Sequence, residues 1–134
     1  MAKLSIIEGI GGLYEEKLNE AGVTSIEKLL EECSSKRGRT ELAEKSGIAE
    51  KLILKWANHA DLFRIKGVGS EYAELLEAAG VDTVPELAKR KTNNLVVKMA
   101  EVNQAMKLVR RVPTTRQAGD WIYQAGKLPK VIKY

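Results

Sequence analysis

The sequence predicts an all-α protein of roughly ten short helices. Apolar residues recur at helical spacing along most of the 134-residue chain, and aromatic residues, which favour strands, make up only 5% of it. The third observation is an internal repeat, because segments 7–22 and 65–80 align without a gap at an offset of 58 residues. Such self-similarity indicates a duplicated structural unit, so we expect two pseudo-repeats, 1–62 and 63–134, within one compact domain.

The composition, with 44% hydrophobic and 30% charged residues, is that of a globular protein. No apolar run approaches the roughly 20 residues that cross a bilayer, and the N-terminal residues lack the apolar core of a signal peptide. We therefore expect a cytoplasmic protein with no membrane partner. Cys33 is the single cysteine, which excludes an intramolecular disulfide and a thiolate metal cluster. Glu31 and Glu32 would oppose a thiolate, so Cys33 is predicted to be a partly buried packing residue.

Both copies of the repeat have the same predicted order of elements. A Gly-x-Gly turn comes first, at Gly9–Gly11 and at Gly67–Gly69, and a helix begins directly after it. That helix ends at a further glycine, Gly22 or Gly80, which supplies a left-handed C-terminal residue. A second helix then starts at a threonine or serine.

The segments after these helices differ between the copies. In the first copy, residues 34–39 (SSKRGR) are predicted to form an exposed loop, followed by a short helix and by a longer one near 49–60. In the second copy, the spacing of apolar residues over 93–112 favours one or two buried helices. Pro113 interrupts this pattern and a final helix follows it.

Charge alternates in sign along the chain. Met1–Ser34 carries 3 basic and 7 acidic residues, and Gly67–Ala88 carries 5 acidic and 0 basic residues. Ser35–Lys66 carries 8 basic and 4 acidic residues, and Lys89–Tyr134 carries 11 and 2. Each glycine-turn segment is therefore acidic and is followed by a basic segment. The basic residues form three clusters, of which the third is the largest: Lys36, Arg37 and Arg39; Lys89, Arg90 and Lys91; Lys107, Arg110, Arg111 and Arg116.

The glycine turns are candidate anion-binding elements. Two glycines so close together allow a positive φ and a close backbone approach. Because a helix begins directly afterwards, its first N–H groups have no intrahelical acceptor and can donate to a phosphate oxygen. The candidate amides are those of Gly9, Gly11, Gly67 and Gly69.

These turns, together with a leucine in each following helix, Leu18 and Leu76, resemble the helix-hairpin-helix motif of DNA repair and recombination proteins. The resemblance implies that the hairpin amides bind a DNA backbone phosphate without reading the base sequence. Within this motif, a small residue usually stands four positions after the second glycine. Ala73 fits that pattern, whereas Glu15 does not.

A second resemblance covers nearly the whole chain. The order of its segments, with an asparagine-started helix at Asn103, a Val-Pro at 112–113 and a Trp-Ile at 121–122, is similar to a family of domains of unknown function numbered four-three-three-two. That family is built from tandem helix-hairpin-helix units, so this resemblance implies the fold more directly than an activity.

Two interpretations of the turns stay open. Basic residues often follow the second glycine in nucleic-acid-binding hairpins, where this chain has Leu13 and Glu71. A carboxylate near a helix N-terminus is stabilised there and competes with a phosphate for the same position. The turns therefore either bind phosphate or serve only to pack two helices together.

Catalytic constellations are absent from the sequence. There is no nucleophile with a base, no pair of carboxylates in an apolar setting and no phosphate-binding glycine-lysine loop. His59, the single histidine, is predicted to lie at a helix end or on the surface, and Trp56 and Trp121 are predicted to be packing residues. We therefore expect a protein that is not an enzyme and that has no cofactor, no metal site and no small-molecule substrate.

The function that the sequence favours is non-catalytic, sequence-independent binding of nucleic acid, with DNA as the expected partner. The expected contacts are the four glycine amides and a basic helical face containing Lys107, Arg110, Arg111 and Arg116. The alternative is a protein-interaction or self-assembly scaffold in which the hairpins are used only for packing.

Overall fold

The protein is all-helical in a computed structural model that describes residues 3–134, and this range contains no strand. The all-α prediction is confirmed. Eight α-helices and one short 3-10 helix form within the described range, slightly fewer than expected, because α3 and α7 are each longer than the sequence indicated. In chain order they are the 3-10 helix Leu4–Ile6, α1 (Gly12–Glu20), α2 (Ile26–Glu32), α3 (Lys36–Ser46), α4 (Glu50–Leu62), α5 (Ser70–Ala78), α6 (Val84–Ala88), α7 (Thr92–Met106) and α8 (Thr115–Lys127).

The chain divides into two compact units. The first unit extends to Asp61 and also includes Val131–Tyr134, and the second unit is Leu62–Lys130. The last four residues therefore belong with the first unit, where the N–H of Lys133 donates to the carbonyl of Ser34 (2.7 Å). Each unit has its own buried apolar residues, which include Leu4, Leu18, Leu29 and Ile53 in the first and Leu75, Leu76, Leu87 and Met99 in the second.

The two Gly-x-Gly segments have the same backbone conformation. The first glycine of each turn is left-handed, with φ of +97° at Gly9 and +98° at Gly67. The glycine after each following helix is left-handed too, with φ of +93° at Gly22 and +94° at Gly80. The valine after it closes the helix end in both segments, its N–H donating to a leucine carbonyl at 2.8 Å. The glycine positions thus dictate the local backbone.

A tryptophan packs behind each turn. Trp56 of α4 and Trp121 of α8 are 1% and 2% exposed, so the packing role predicted for both is confirmed. Tyr14 meets Trp56 with ring centroids 5.1 Å apart, and Tyr72 meets Trp121 with centroids 5.2 Å apart. Both pairs are tilted or edge-on, which is the favoured geometry of aromatic rings.

Helix α3 begins earlier than the sequence indicated, and the exposed loop predicted over 34–39 is wrong. Ser35 caps the helix by accepting the N–H of Gly38 at its hydroxyl oxygen (3.1 Å). Arg39 therefore lies inside the helix and points inward, where its guanidinium donates to the carbonyls of Cys33 and Lys133 (both 3.0 Å). The high density of charged residues predicted a loop. The serine cap and the hydrogen bonds of Arg39 to two carbonyls instead stabilise a helix here.

Two further side chains are buried. Cys33 is fully buried, and its desolvation raises the pKa of the thiol to about 12, so at neutral pH the group is a protonated packing residue. The helix-end position predicted for His59 is confirmed, because this residue lies in the last turn of α4. The alternative surface position is wrong, because residues 56–62 are all buried.

Candidate nucleic-acid interface

The second glycine turn is held in place from behind by α8. The side chain of Gln124 accepts the backbone N–H of Lys66 (2.8 Å) and donates to the carbonyl of the same residue (3.1 Å). Gly67 lies so close to the indole of Trp121 that a Cβ built on it would be 2.9 Å from Nε1. The outer side of the turn, including Gly69, is exposed to solvent. The turn is therefore a rigid element with an accessible face.

The N-terminus of α5 presents free amides at this face. Gly69 is the N-cap residue and provides no side-chain acceptor. The N–H of Ala73 makes the first intrahelical bond, to the carbonyl of Gly69 (2.8 Å), so the amides before Ala73 have no acceptor within the helix. The start of α1 after Gly11 is built in the same way. Both helix starts therefore offer donors and a positive partial charge to an anion.

The connection between α7 and α8, residues 107–114, is fixed at several points. Lys107 closes α7 in a left-handed conformation, with φ of +52°. The amide side chain of Asn103 holds both backbone groups of Val109, accepting its N–H (2.9 Å) and donating to its carbonyl (3.0 Å). Thr114 then starts α8 with a capping box. The helix start expected at Asn103 is wrong, because this residue lies within α7 and orders the loop that follows.

This connection places Arg110 and Arg111 beside the first turn of α5. With Glu71, Tyr72 and Val109 they line a groove of about 300 Å³. The hydroxyl of Tyr72 donates to the backbone carbonyl of Arg111 (3.3 Å), which ties the loop to the helix. Both arginines are exposed, and neither guanidinium forms an ion pair within the described part of the chain. Two guanidinium groups thus line the same groove as the first turn of α5, the helix that the second glycine turn precedes.

The other basic residues predicted to bind are less concentrated. Lys107 and Arg116 are exposed at the two ends of the same connection but do not line the groove. Arg39 and Arg90, from the other two clusters, have structural roles. The guanidinium of Arg90 donates to the carbonyl of Gly80 (2.9 Å) and pairs with a glutamate of α6 (3.2 Å).

The first unit lacks the arginine arrangement. Its α3–α4 connection has only three residues, 47–49, and none of them is basic. Like its counterpart it starts in the left-handed region, with φ of +73° at Gly47. The first turn of α1 presents Leu13, which is 66% exposed, and Glu15. Of the two glycine turns predicted to bind phosphate, the second, with Gly67 and Gly69, precedes a helix whose first turn shares a groove with arginine side chains.

Sequence reasoning missed this grouping, although a signal for it exists. The interval from the first turn glycine to the packing tryptophan is 47 residues in the first copy, Gly9 to Trp56. The corresponding interval from Gly67 to Trp121 is 54 residues. The difference of seven residues indicates an insertion in the second copy, and the longer α7–α8 connection accounts for most of it.

The two units also differ in net charge. The first unit contains 10 basic and 11 acidic residues, whereas the second contains 12 basic and 7 acidic residues.

Across residues 3–134, no helix is long and apolar enough to cross a membrane. The same stretch places no three histidine, cysteine or acidic side chains together in a way that could hold a metal ion.

Comparison with known proteins identifies the family. No curated protein and no solved structure matches the sequence. The model of one family, a domain of unknown function (DUF4332), matches residues 8–128, a range that contains both glycine turns and all eight α-helices of the described structure. The chain therefore belongs to the DUF4332 family, as the resemblance in its sequence predicted.

Proposed function

We propose that this protein binds nucleic acid without sequence specificity and without catalysis, through the second of two helix-hairpin-helix units. The observation that supports this proposal is the position of Arg110 and Arg111 beside the first turn of α5, a helix whose N-terminal amides have no intrahelical acceptor. The first unit has the same turn without these arginines, so it contributes less to binding.

The chemistry of the groove suits a backbone phosphate. The amides after Gly69 are fixed donors, and the two guanidinium groups add charge and planar, forked hydrogen bonding. Contacts of this kind position a nucleic acid but do not distinguish its bases. Binding through them releases counterions, so the affinity falls steeply as salt concentration rises.

A carboxylate opposes the anion in the same groove. Glu71 is exposed one residue inside α5, where it competes with a phosphate for the helix N-terminus. Two guanidinium groups against one carboxylate leave a local charge of +1. We therefore expect modest affinity that is measurable mainly at low salt.

Reversing both arginine charges tests the proposal. In the Arg110→Glu/Arg111→Glu variant, the affinity for a fluorescent DNA duplex at low salt should fall by at least about 30-fold, and the slope of log K against log salt should decrease by about two. The fold should persist, because both side chains are exposed and neither is in an ion pair with any residue of 3–134. Fluorescence anisotropy at several salt concentrations measures both quantities.

A control variant with the same change in net charge distinguishes binding at this groove from general electrostatic attraction to the protein. The Arg37→Glu/Lys45→Glu variant makes the same change in net charge on exposed positions of α3, in the first unit. Its affinity should stay within about threefold of the unmodified protein. An equal loss in the two variants, or no binding of duplex or single strand by the unmodified protein at low salt, would contradict the proposal.

Removal of the opposing carboxylate gives a gain-of-binding prediction. Glu71→Gln should raise the affinity for the same duplex by about three- to tenfold, because it deletes a like charge next to the phosphate. Glu16→Gln, an equally conservative change at an exposed position of α1, should leave the affinity unchanged. If Glu71→Gln has no effect while the arginines are required, the phosphate does not reach the α5 amides and the hairpin serves only for packing.

A further inference from the structure

The first unit contains a buried cation without an acidic partner. Arg39 is 3% exposed, and its guanidinium donates to the carbonyls of Cys33 and Lys133 and lies 5.8 Å from the ring centroid of Tyr134. None of these partners is an acid, and no carboxylate pairs with Arg39 in residues 3–134. A buried charge that is only partly compensated is costly, so this position favours an anion.

A groove of about 400 Å³ opens beside this arginine. Its walls are largely apolar and include Leu54 of α4 and the ring of Tyr134. Lys36 and Lys51 complete the lining, together with Glu50. This volume falls in the range of small-molecule sites, which combine apolar walls with a few charged groups.

The electrostatics of the groove favour negative charge. Among the side chains that line the groove, three are cationic and one is a carboxylate, that of Glu50, which already accepts a hydrogen bond from the hydroxyl of Thr40 (3.0 Å). Lys36 is the first residue of α3, and Lys51 lies in the first turn of α4. The positive ends of two helix dipoles therefore meet at the groove. Neither lysine forms an ion pair with the described residues.

We infer that this groove binds a small molecule that joins an apolar ring to a carboxylate or phosphate. The ring lies against Leu54 and Tyr134, and the anionic group lies between Lys36, Lys51 and the buried guanidinium of Arg39. This site is in the first unit, and it is independent of the nucleic-acid binding proposed for the second.

The test uses three probes on the full chain: adenosine monophosphate, 2-naphthoate and inorganic phosphate, each titrated by isothermal calorimetry. At least one organic probe should bind with a Kd below about 1 mM, and inorganic phosphate should bind at least about tenfold more weakly than that probe. The tighter organic probe identifies the preferred anionic group. Binding of neither organic probe below about 1 mM, or equal binding of inorganic phosphate, would overturn the inference.

Variants of other groove residues test where the probe binds. Arg39 is left unchanged, because its hydrogen bonds to two backbone carbonyls stabilise the fold. The Lys36→Glu/Lys51→Glu variant should bind the organic probe with an affinity at least about tenfold lower. Its fold should persist, because acidic residues are favourable in the first turn of a helix. Leu54→Trp, which fills the groove, should weaken binding of the probe as well. A control with equal charge change, Lys98→Glu/Lys130→Glu in the second unit, should bind normally. Normal binding by both groove variants would place the probe elsewhere and overturn the inference.

The DNA-binding variant keeps the two proposals separate. Arg110→Glu/Arg111→Glu should bind the organic probe with unchanged affinity, because these arginines belong to the second unit. Loss of the organic probe in this variant would show that the probe occupies the nucleic-acid groove and would overturn the inference.

Discussion

Replacing Gly67 with alanine should lower the free energy of unfolding by about 3 kcal/mol. The residue has φ of +98°, a conformation that strains any residue with a Cβ. In addition, the new Cβ would lie 2.9 Å from Nε1 of Trp121, closer than carbon and nitrogen atoms normally approach. Trp121 cannot easily withdraw, because it is 2% exposed and packs on Tyr72. Urea unfolding followed by circular dichroism measures the loss.

Gly9 supplies the matched comparison for this substitution. Its φ of +97° is the same, but a Cβ there would be 3.5 Å from Nε1 of Trp56, an ordinary contact distance. Gly9→Ala should therefore cost only the backbone strain, about 1–2 kcal/mol. The difference between the two variants isolates the steric contribution of the tryptophan. Equal losses in the free energy of unfolding would show that Trp121 moves aside without an energetic penalty. This result would contradict the steric part of the prediction.

The local backbone was predictable from the sequence because glycine dictates it. The alignment of the two Gly-x-Gly segments predicts equal turns, and Gly9 and Gly67 indeed differ by only one degree in φ. The packing role of Trp56 and Trp121 was predictable as well, from their positions on apolar helix faces. Both inferences rest on information within one or two turns of the chain.

The grouping of Arg110 and Arg111 with the second turn was not predictable in this way. It depends on the hydrogen bond from the Tyr72 hydroxyl to the Arg111 carbonyl, which joins residues 39 apart, and on the clamp that Asn103 makes on Val109. The spacing of apolar residues along the sequence does not predict such tertiary contacts. The sequence indicated the two arginines, the two glycines and the opposing Glu71, and the structure added the groove that Arg110 and Arg111 share with the first turn of α5.

The burial of Arg39 has a similar cause. Its charged neighbours Lys36 and Arg37 indicate solvent exposure, and both of those residues are exposed. Arg39 differs because one of its two acceptors is the carbonyl of Lys133, 94 residues away. A basic cluster therefore divides into surface and interior positions according to contacts that composition does not reveal. As a result, one exposed and one buried member of this cluster, Lys36 and Arg39, line the same groove in the first unit.

Gly38 is the position at which helix propensity and packing predict opposite results. It lies in the first turn of α3, and alanine in place of glycine in a helix contributes up to about 1 kcal/mol. However, a Cβ on Gly38 would clash with the carbonyl oxygen of Glu32, a backbone atom that cannot rotate away. Overpacking of this kind costs about 1–3 kcal/mol and sometimes more. Gly38→Ala should therefore destabilise the protein by about 2 kcal/mol.

Gly126 provides the opposite expectation within the same chain. It lies in the last turn of α8, and a Cβ built on it meets nothing within 4 Å. Gly126→Ala should therefore stabilise the protein by up to about 1 kcal/mol, and thermal unfolding of the two variants should move the midpoint in opposite directions. A rise in both midpoints would contradict the predicted clash between Gly38→Ala and the carbonyl of Glu32. In that case Gly38 would be a residue of low helix propensity with no packing role.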